Sequence, residues 1–457
     1  MNYKNTLNEN SLVIFRRDLR LSDNTALITA MESSKQVIPI FIYDSLLLNN
    51  PNRSQNAIQF MQESILDLQN QLEEFGGKLY LFQGKPWTIV ENLLSNRELE
   101  ISVIFINRDY TPYSQKRDTI IARVAKDKDV KIRIFADLLL NEPETVLKKD
   151  GSPYTVFTPF YNKSIENLIA VPNENILNNI YSQPIESELM DQKGELITNP
   201  HVFIRGGRKN GKKILSEIQK FTEYKLNRDF PAKQGTTTLS AHLRFGTVSI
   251  REAYHCIYKH EILSLVRQLY WRDFYHYIGF HFPHVFNYPF RNKFKALEWS
   301  QDKDKFERWS EGKTGFPIID AGMRQLNKTG FMHNRVRMIV ASFLTKDLQI
   351  NWQWGERDFS QKLVDFDISV NNGNWQWSSS TGCDAVPYFR IFNPWTQQRK
   401  FDPKCEYIKK YIPELRSLAP QEIHNLEKQR PKGLKYSKPI VNHSRARELA
   451  IVMFKNL

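Results

Sequence analysis

Apolar residues over the first 135 positions come in short unbroken runs, separated by polar stretches long enough to hold helices. "LVIF" (12–15), "VIPIFIY" (37–43), "KLYLF" (78–82), "ISVIFI" (101–106) and "VKIRIF" (130–135) are rich in branched residues, the composition of parallel strands buried on both faces. Between the second and third runs, Ile58, Met61, Ile65, Leu68 and Leu72 repeat at three and four, the period of a helix, and Gly76-Gly77 ends it. Pro86 opens another helix at a position where its missing N–H costs nothing. Residues 1–135 therefore predict an α/β domain with a five-stranded parallel sheet. No GxGxxG follows the first strand. "FRRDLRLSDN" stands there instead, which argues against a dinucleotide on the usual glycine turn in this half.

From Ala136 the pattern dissolves into Asn, Pro, Ser and Glu, and residues 136–204 predict a long connector between domains. Beyond it, residues 205–457 have helical texture. Eight of the nine tryptophans lie at or after position 271, so candidate chemistry belongs in this second half. One stretch there, "NNGNWQWSSSTG" (371–382), follows neither the helical nor the strand period well and concentrates rings and amides with little aliphatic packing.

Composition narrows the class. A chain of 457 residues is too long for one ordinary core and predicts two or three domains. No run approaches the roughly 18 apolar residues of a membrane helix, and the polar start "MNYKNTLNENS" has no signal-peptide core, so a cytoplasmic location is expected. Cys256, Cys383 and Cys405 are too scattered for a CxxC pair or a closed zinc site, and no metal is expected. The net charge of +14, with a pI of about 9.4, is the footprint of a polyanion binder, although a basic proteome gives the same excess.

Four segments carry candidate chemistry. "GTTTLSAHLRFGTVS" (235–249) sets hydroxyls before a helix-like segment, which suits a phosphate and equally an ordinary N-cap. In "QLYWRDFYHYIGFHFPHVF" (268–286), Gln268, Trp271, Arg272 and Tyr275 share one helical face suited to stacking on a base, or to packing in a core. "MHNRVRMIVASFL" (332–344) predicts a helix whose apolar face is Val336, Ile339, Val340 and Phe343. Its first turn carries Asn334, Arg335 and Arg337, which need anions if buried; Asp365 and Asp367 are the candidates. Trp299, Trp352 and Trp375 are either core anchors or, if the helices converge, a row able to pass an electron from a buried cofactor.

Taken with "FRRDLRLSDNTAL", "GSPYTVFTPFY", "RDFPAKQGTTTLSAHLRFGTVS", "YWRDFY" and "NNGNWQWSSSTGCDAVPYFRIFNPWTQ", these segments resemble the photolyase/cryptochrome family nearly end to end, and most of all its bacterial members that repair cyclobutane pyrimidine dimers. The resemblance implies an all-helical C-terminal domain holding FAD, whose light-excited reduced form passes an electron to the dimer. It implies that Tyr224, Thr236, Thr237, Thr238, Leu239 and Ser240 bind the FAD phosphates and ribityl, with Arg272 adding charge. Asn371 would face the flavin N5, Arg337 paired with Asp365 would set the charge beside the ring, and Gln268 and Asp367 complete the cofactor set. Trp375, Trp352 and Trp299 would form an electron chain; Trp271 and Trp377 would wall the flipped dimer, with Tyr275 beside them. Asn334 and Met338 would touch the lesion, while Arg228, Arg335, Gln397 and Lys400 would serve the phosphates of dimer-containing DNA. A monomer is the family default.

Two positions depart from the pattern. Gln268 stands where dimer photolyases usually carry glutamate, as in (6-4) photolyases and animal cryptochromes, so an altered repair yield is expected. The (6-4) enzymes, however, place two histidines where this chain has Asn334 and Met338. The Asn-Glu pair of folate-binding relatives is missing near Tyr113 and Ser114. A second, antenna chromophore is common in the family, and its identity here is open between methenyltetrahydrofolate, deazaflavin, another flavin or none. The rival readings are a cryptochrome-type photoreceptor without repair, (6-4) photoproduct repair, and a nucleic-acid binder that has lost its flavin.

Overall fold

The five apolar runs pair side by side in the computed structural model, which describes residues 7–175, 177–186 and 198–457. Strands β1 (Asn8–Phe15), β2 (Ser34–Asp44), β3 (Tyr80–Gly84), β4 (Ile101–Asn107) and β5 (Lys131–Phe135) form one parallel sheet in the order β3-β2-β1-β4-β5. Chain order reverses at β1 and β4, so the loops leaving these two strands diverge and open a crevice at their C-terminal ends. The loop after β1 carries Arg16 and Arg17, and the loop after β4 carries Asp109. Strand β5 departs from the expected double burial. It lies at the sheet edge with Lys131, Arg133 and Ile134 exposed.

Helices α1 (Thr25–Ser33), α2 (Gln55–Glu74), α3 (Pro86–Ser95) and α4 (Pro112–Asp127) cross between the strands. Each start has a physical cause. The side chains of Asn24, Ser54 and Thr111 accept backbone N–H groups of α1, α2 and α4, and Pro86 and Pro112 occupy first-turn positions. α2 buries Phe60, Ile65, Leu68 and Leu72, and these pack with Phe245, Phe331 and Val364 of the second half. One face of the sheet is thus sealed by the other domain, and the two share a core.

Within the expected connector, residues 157–164 form helix α5 (Phe157–Ser164), because Phe157 and Phe160 bury against α8. Position 176, residues 187–197 of the connector, and the first six residues of the polar N-terminal stretch lie outside the described residues. The second half is helical: α6 (Ser240–Phe245), α7 (Ile250–Lys259), α8 (Leu263–His281), α9 (Pro317–Thr329), α10 (Asn334–Ser342), α11 (Trp352–Lys362), α12 (Ile368–Ser379), α13 (Pro394–Phe401) and α14 (His443–Lys455) are its main elements. No described helix is long and apolar enough to cross a membrane, and no described cluster of His, Cys, Asp and Glu could hold a metal ion.

Asp273 of α8 ties the connector down. Its Oδ2 accepts the N–H groups of Leu140 at 2.7 Å and Asn141 at 3.3 Å. Burial pushes this carboxyl up to about 7, against the pull of Arg272 and the two N–H donors. A carboxyl whose folded pKa lies above its unfolded value weakens the fold as pH rises between the two. Asp273→Asn keeps an acceptor oxygen but cannot ionise. The wild type is therefore expected to lose thermal stability relative to this variant as pH rises from 5 to 8, with melting temperatures across that range as the measurement; parallel profiles would show that Asp273 does not titrate there.

Candidate functional site

Helix α12 contains the ring-and-amide stretch that no simple period describes. It is packed against α8, α10 and α11, and with so little solvent face the usual polar side is missing. Asp367 starts the helix, its Oδ1 accepting the N–H of Ser369 at 3.0 Å and of Val370 at 3.2 Å. At Gly373 the neighbouring α8 comes so near that an added Cβ would collide with the Tyr275 ring. Beside this crossing, Asn371, Asn374, Trp375 and Ser378 line a cavity of about 300 Å³.

The opposite walls come from three other segments. Tyr224, Thr236, Thr237, Thr238, Leu239 and Ser240 form one side, with Thr238 in the left-handed region at φ 56°. Gln268 and Arg272 come from α8; Asn334, Arg337 and Met338 from α10; Asp365 and Asp367 from the turn before α12. The residues expected to hold the cofactor and those expected at the lesion core therefore meet in one space. Leu243, Arg244, Phe331, Met332, Phe366 and Asn374 also line it and were not anticipated. Of these only Asn374 carried a local signal, standing one helical turn after Asn371.

Ion pairs order the walls. Arg337 grips Asp365 through Nη2, at 3.1 Å from Oδ1 and 3.0 Å from Oδ2, and donates Nε–H to the Met332 carbonyl at 2.7 Å. The Ser240 hydroxyl donates to the same carboxylate at 2.7 Å. Asp367 pairs with neither Arg335 nor Arg337. Its Oδ2 meets Arg17 of the β1 loop, His276 at 3.3 Å and Arg244 at 3.9 Å. Burial alone would raise this carboxyl, but His276, Arg17 and Arg244 hold it well below the usual range. Asn371 donates its amide N–H to the Glu356 carbonyl at 3.1 Å, and among the described residues its Oδ1 accepts no hydrogen bond. Hydroxyls, arginines and a free amide oxygen form a donor set that fits a flavin dinucleotide: cations and hydroxyls for phosphate and sugar, and an acceptor for a ring N–H.

The tryptophans lie in and around one core. Trp375 and Trp352 are both 2 % exposed, and Trp299 packs against the same cluster and edge-on to Phe454 at 6.3 Å. Among the described residues, the ring neighbours of Trp375 are Phe359 at 5.0 Å and Trp309 at 6.2 Å rather than Trp352. Trp309 was not anticipated.

The residues expected to meet DNA fall into separate groups. Trp271 and Trp377 line a second, smaller cleft between α8 and α12, where Trp271 stacks on Phe157 at 3.6 Å between centroids. Tyr275 lines the same cleft but is only 8 % exposed, its ring packed over Gly373 of α12. Arg228 and Arg335 converge on Asp229, at 3.9 and 2.8 Å, and the Arg335 guanidinium stacks 4.4 Å over Phe401. Phe401 ends α13, the helix that carries Gln397 and Lys400.

Comparison with known proteins agrees with this architecture. Residues 11–175 match the family model described as DNA photolyase, and residues 265–456 the one described as FAD binding domain of DNA photolyase. The deoxyribodipyrimidine photo-lyase of Alkalihalophilus pseudofirmus is 37% identical over 97% of each chain. An archaeal photolyase from Sulfolobus tokodaii, solved with two FAD molecules, superposes with a TM-score of 0.89 at 39% identity, covering 98% of this chain and 100% of that one. A cryptochrome from Synechocystis superposes with a TM-score of 0.90 at 25% identity, covering 98% and 99%. A parallel sheet sealed against a helical cavity with a flavin-type donor set, and relatives this similar over nearly their whole length, establish that the chain belongs to the photolyase/cryptochrome family as a DNA photolyase with an FAD-binding domain.

Proposed function

We propose that this protein uses light to split cyclobutane pyrimidine dimers in DNA. The observation that carries the reading is the shared cavity, since Gln268, Asn334 and Met338 line the same space as Asn371, Arg337 and Asp365. Reduced FAD, when bound, supplies the light-excited electron that cleaves the dimer. The chain supplies binding and orientation. Gln268 donates its amide N–H to the Ser264 carbonyl at 3.2 Å, which leaves its Oε1 to accept from a pyrimidine N–H. Phe157 covers one face of Trp271; with Trp377 lining the same cleft, the two rings suit stacking on a flipped base, worth roughly 1–3 kcal/mol per base. Arg228, Arg335, Gln397 and Lys400 contact backbone phosphates, giving affinity without sequence reading. Trp375 lines the cavity and shares one core with Trp352 and Trp299, a set of oxidisable rings that would relay an electron toward a bound oxidised flavin. In this reading residues 1–135 collect light, 205–457 perform the chemistry and 136–204 join them.

A second cavity, of about 140 Å³, lies at the C-terminal ends of β1 and β2 and is lined by Arg16, Tyr43, Asp44, Arg117 and Phe245. Arg117 Nη2 is buried there with no partner among the described residues. An orphaned guanidinium N–H favours a ligand rich in acceptor oxygens, and the Sulfolobus relative is described with two FAD molecules, with the implication of a novel light-harvesting cofactor. We infer that the antenna here is a second flavin.

The deciding experiment illuminates photoreduced protein with oligonucleotides bearing one cyclobutane thymine dimer or one (6-4) product. Light-dependent recovery of thymines from the cyclobutane substrate alone is expected. Repair of neither, with reduced flavin bound, would instead favour the photoreceptor reading that the Synechocystis likeness and Gln268 support. Trp375→Phe is expected to slow photoreduction of oxidised flavin by roughly tenfold or more, yet to leave repair by chemically reduced enzyme near wild type; equal losses in both assays would remove Trp375 from the electron path. Flavin extraction after titration with FAD should give two flavins per wild-type chain and one for Arg117→Ala. A single flavin in the wild type would refute the antenna assignment.

A further inference from the structure

Arg17 stands on the loop after β1 and lines the smaller cavity there, yet its guanidinium pairs with Asp367 on the wall of the larger, flavin-type cavity. Nη2 pairs with Asp367, Nη1 lies 3.2 Å from Asp109, and Nε–H donates to the Arg244 carbonyl at 3.2 Å. The loop has no freedom to withdraw. Leu19 donates its N–H to the Phe245 carbonyl at 3.1 Å, Arg20 donates Nη1–H to the Gly246 carbonyl at 3.1 Å, and a Cβ on Gly246 would collide with the Arg17 carbonyl. The target matters because Asp367 lines the cavity and caps α12, the helix that carries Asn371 and Trp375. One carboxylate oxygen serves the cap. The other would lose its nearest counter-charge without Arg17, keeping His276 at 3.3 Å and Arg244 at 3.9 Å. Arg272, another cation on this wall, points its N–H groups at the Leu138 and Leu243 carbonyls and lies 3.6 Å from Asp273, while Arg337 is held by Asp365.

We propose that Arg17, supplied by the sheet domain, is a positioning residue for the flavin: through Asp367 it sets the first turn of α12 and the charge balance of the wall beside the cofactor. The proposal rests on the flavin reading of the cavity. A site that must stabilise an anionic reduced cofactor gains from a fixed positive charge in a low-dielectric wall. Removing that charge leaves Asp367 undercompensated and disfavours the reduced state.

The test compares full-length protein carrying Arg17→Gln, Arg17→Lys or Asp109→Asn with the otherwise unchanged protein by FAD titration, flavin midpoint potential and thermal unfolding. All are made in an Arg117→Ala background that leaves only the flavin of the larger cavity, because Arg17 also lines the smaller one. Arg17→Gln is expected to bind FAD roughly tenfold more weakly and to shift the potential to more negative values. Arg17→Lys should recover the potential while regaining only part of the affinity, because its point charge lacks the guanidinium fork. Asp109→Asn leaves the Asp367 contact in place and removes a buried negative charge, so it should not shift the potential to more negative values. A lowered melting temperature in Arg17→Gln with unchanged affinity and potential would make Arg17 a mere domain fastener and overturn the proposal. If Arg17→Gln does not fold, Arg17→Lys decides: affinity losses equal to those of Asp109→Asn overturn it, and a larger loss supports it. Failure of the wild type to bind FAD would overturn the flavin reading itself, and the role of Arg17 with it.

Discussion

The carboxylate of Asp367 makes two demands that the rest of the site has to satisfy together. As the cap of α12 it must sit where two free N–H groups emerge, and as a buried charge it must have cations within reach. Arg17 answers from 350 positions away in sequence, across the boundary between sheet and helices. The crevice opened by the reversal of strand order at β1 and β4 supplies the place from which it reaches. An element of the α/β domain thus takes part in the architecture of the helical cavity, and the shared core of Phe60, Phe245, Phe331 and Val364 holds the two at fixed distance.

Burial organises the remaining polarity in the same way. Arg337, Ser240 and Asp365 close one ion-pair cluster at the cavity, and Arg17, Asp109 and Asp367 close another. Arg244 belongs to both cavities, lining the large one and the one beside β1 and β2. Burial and the neighbouring Arg17 push its pKa down to about 10, a sign of crowded positive charge in a dry wall. Such a wall suits anionic ligands, which gives the overall charge of +14 a local meaning beyond attraction to DNA.

The aromatic content divides between packing and the cavity. Tyr275 fills the close approach of α8 to α12 and Phe157 covers Trp271, so rings that share a helical face, their centroids 5.7 Å apart, still take different packing partners. Trp375 touches the cavity and, behind it, Phe359 and Trp309. Helical spacing alone cannot say which ring of a stripe faces the core, because partner helices decide it.

By itself the sequence determined the elements whose signals are local. Branched apolar runs specified the five strands, three-and-four spacing specified α2, and Pro86 specified where a helix begins. Motif content also made the family legible, along with the set of hydroxyl, amide and arginine side chains now gathered in one cavity. Tertiary structure alone decided that residues 368–379 are helical despite lacking an amphipathic period, that β5 is an exposed edge, and that Tyr275 is buried. It also decided that Asp367 answers to Arg17 and that Trp309 and Arg244 belong near the site. The physical reason is common to all of these. A local pattern records how a segment meets solvent or its own backbone, whereas the pairing of buried charges and the facing of buried rings depend on which distant surfaces the fold brings within a few ångströms.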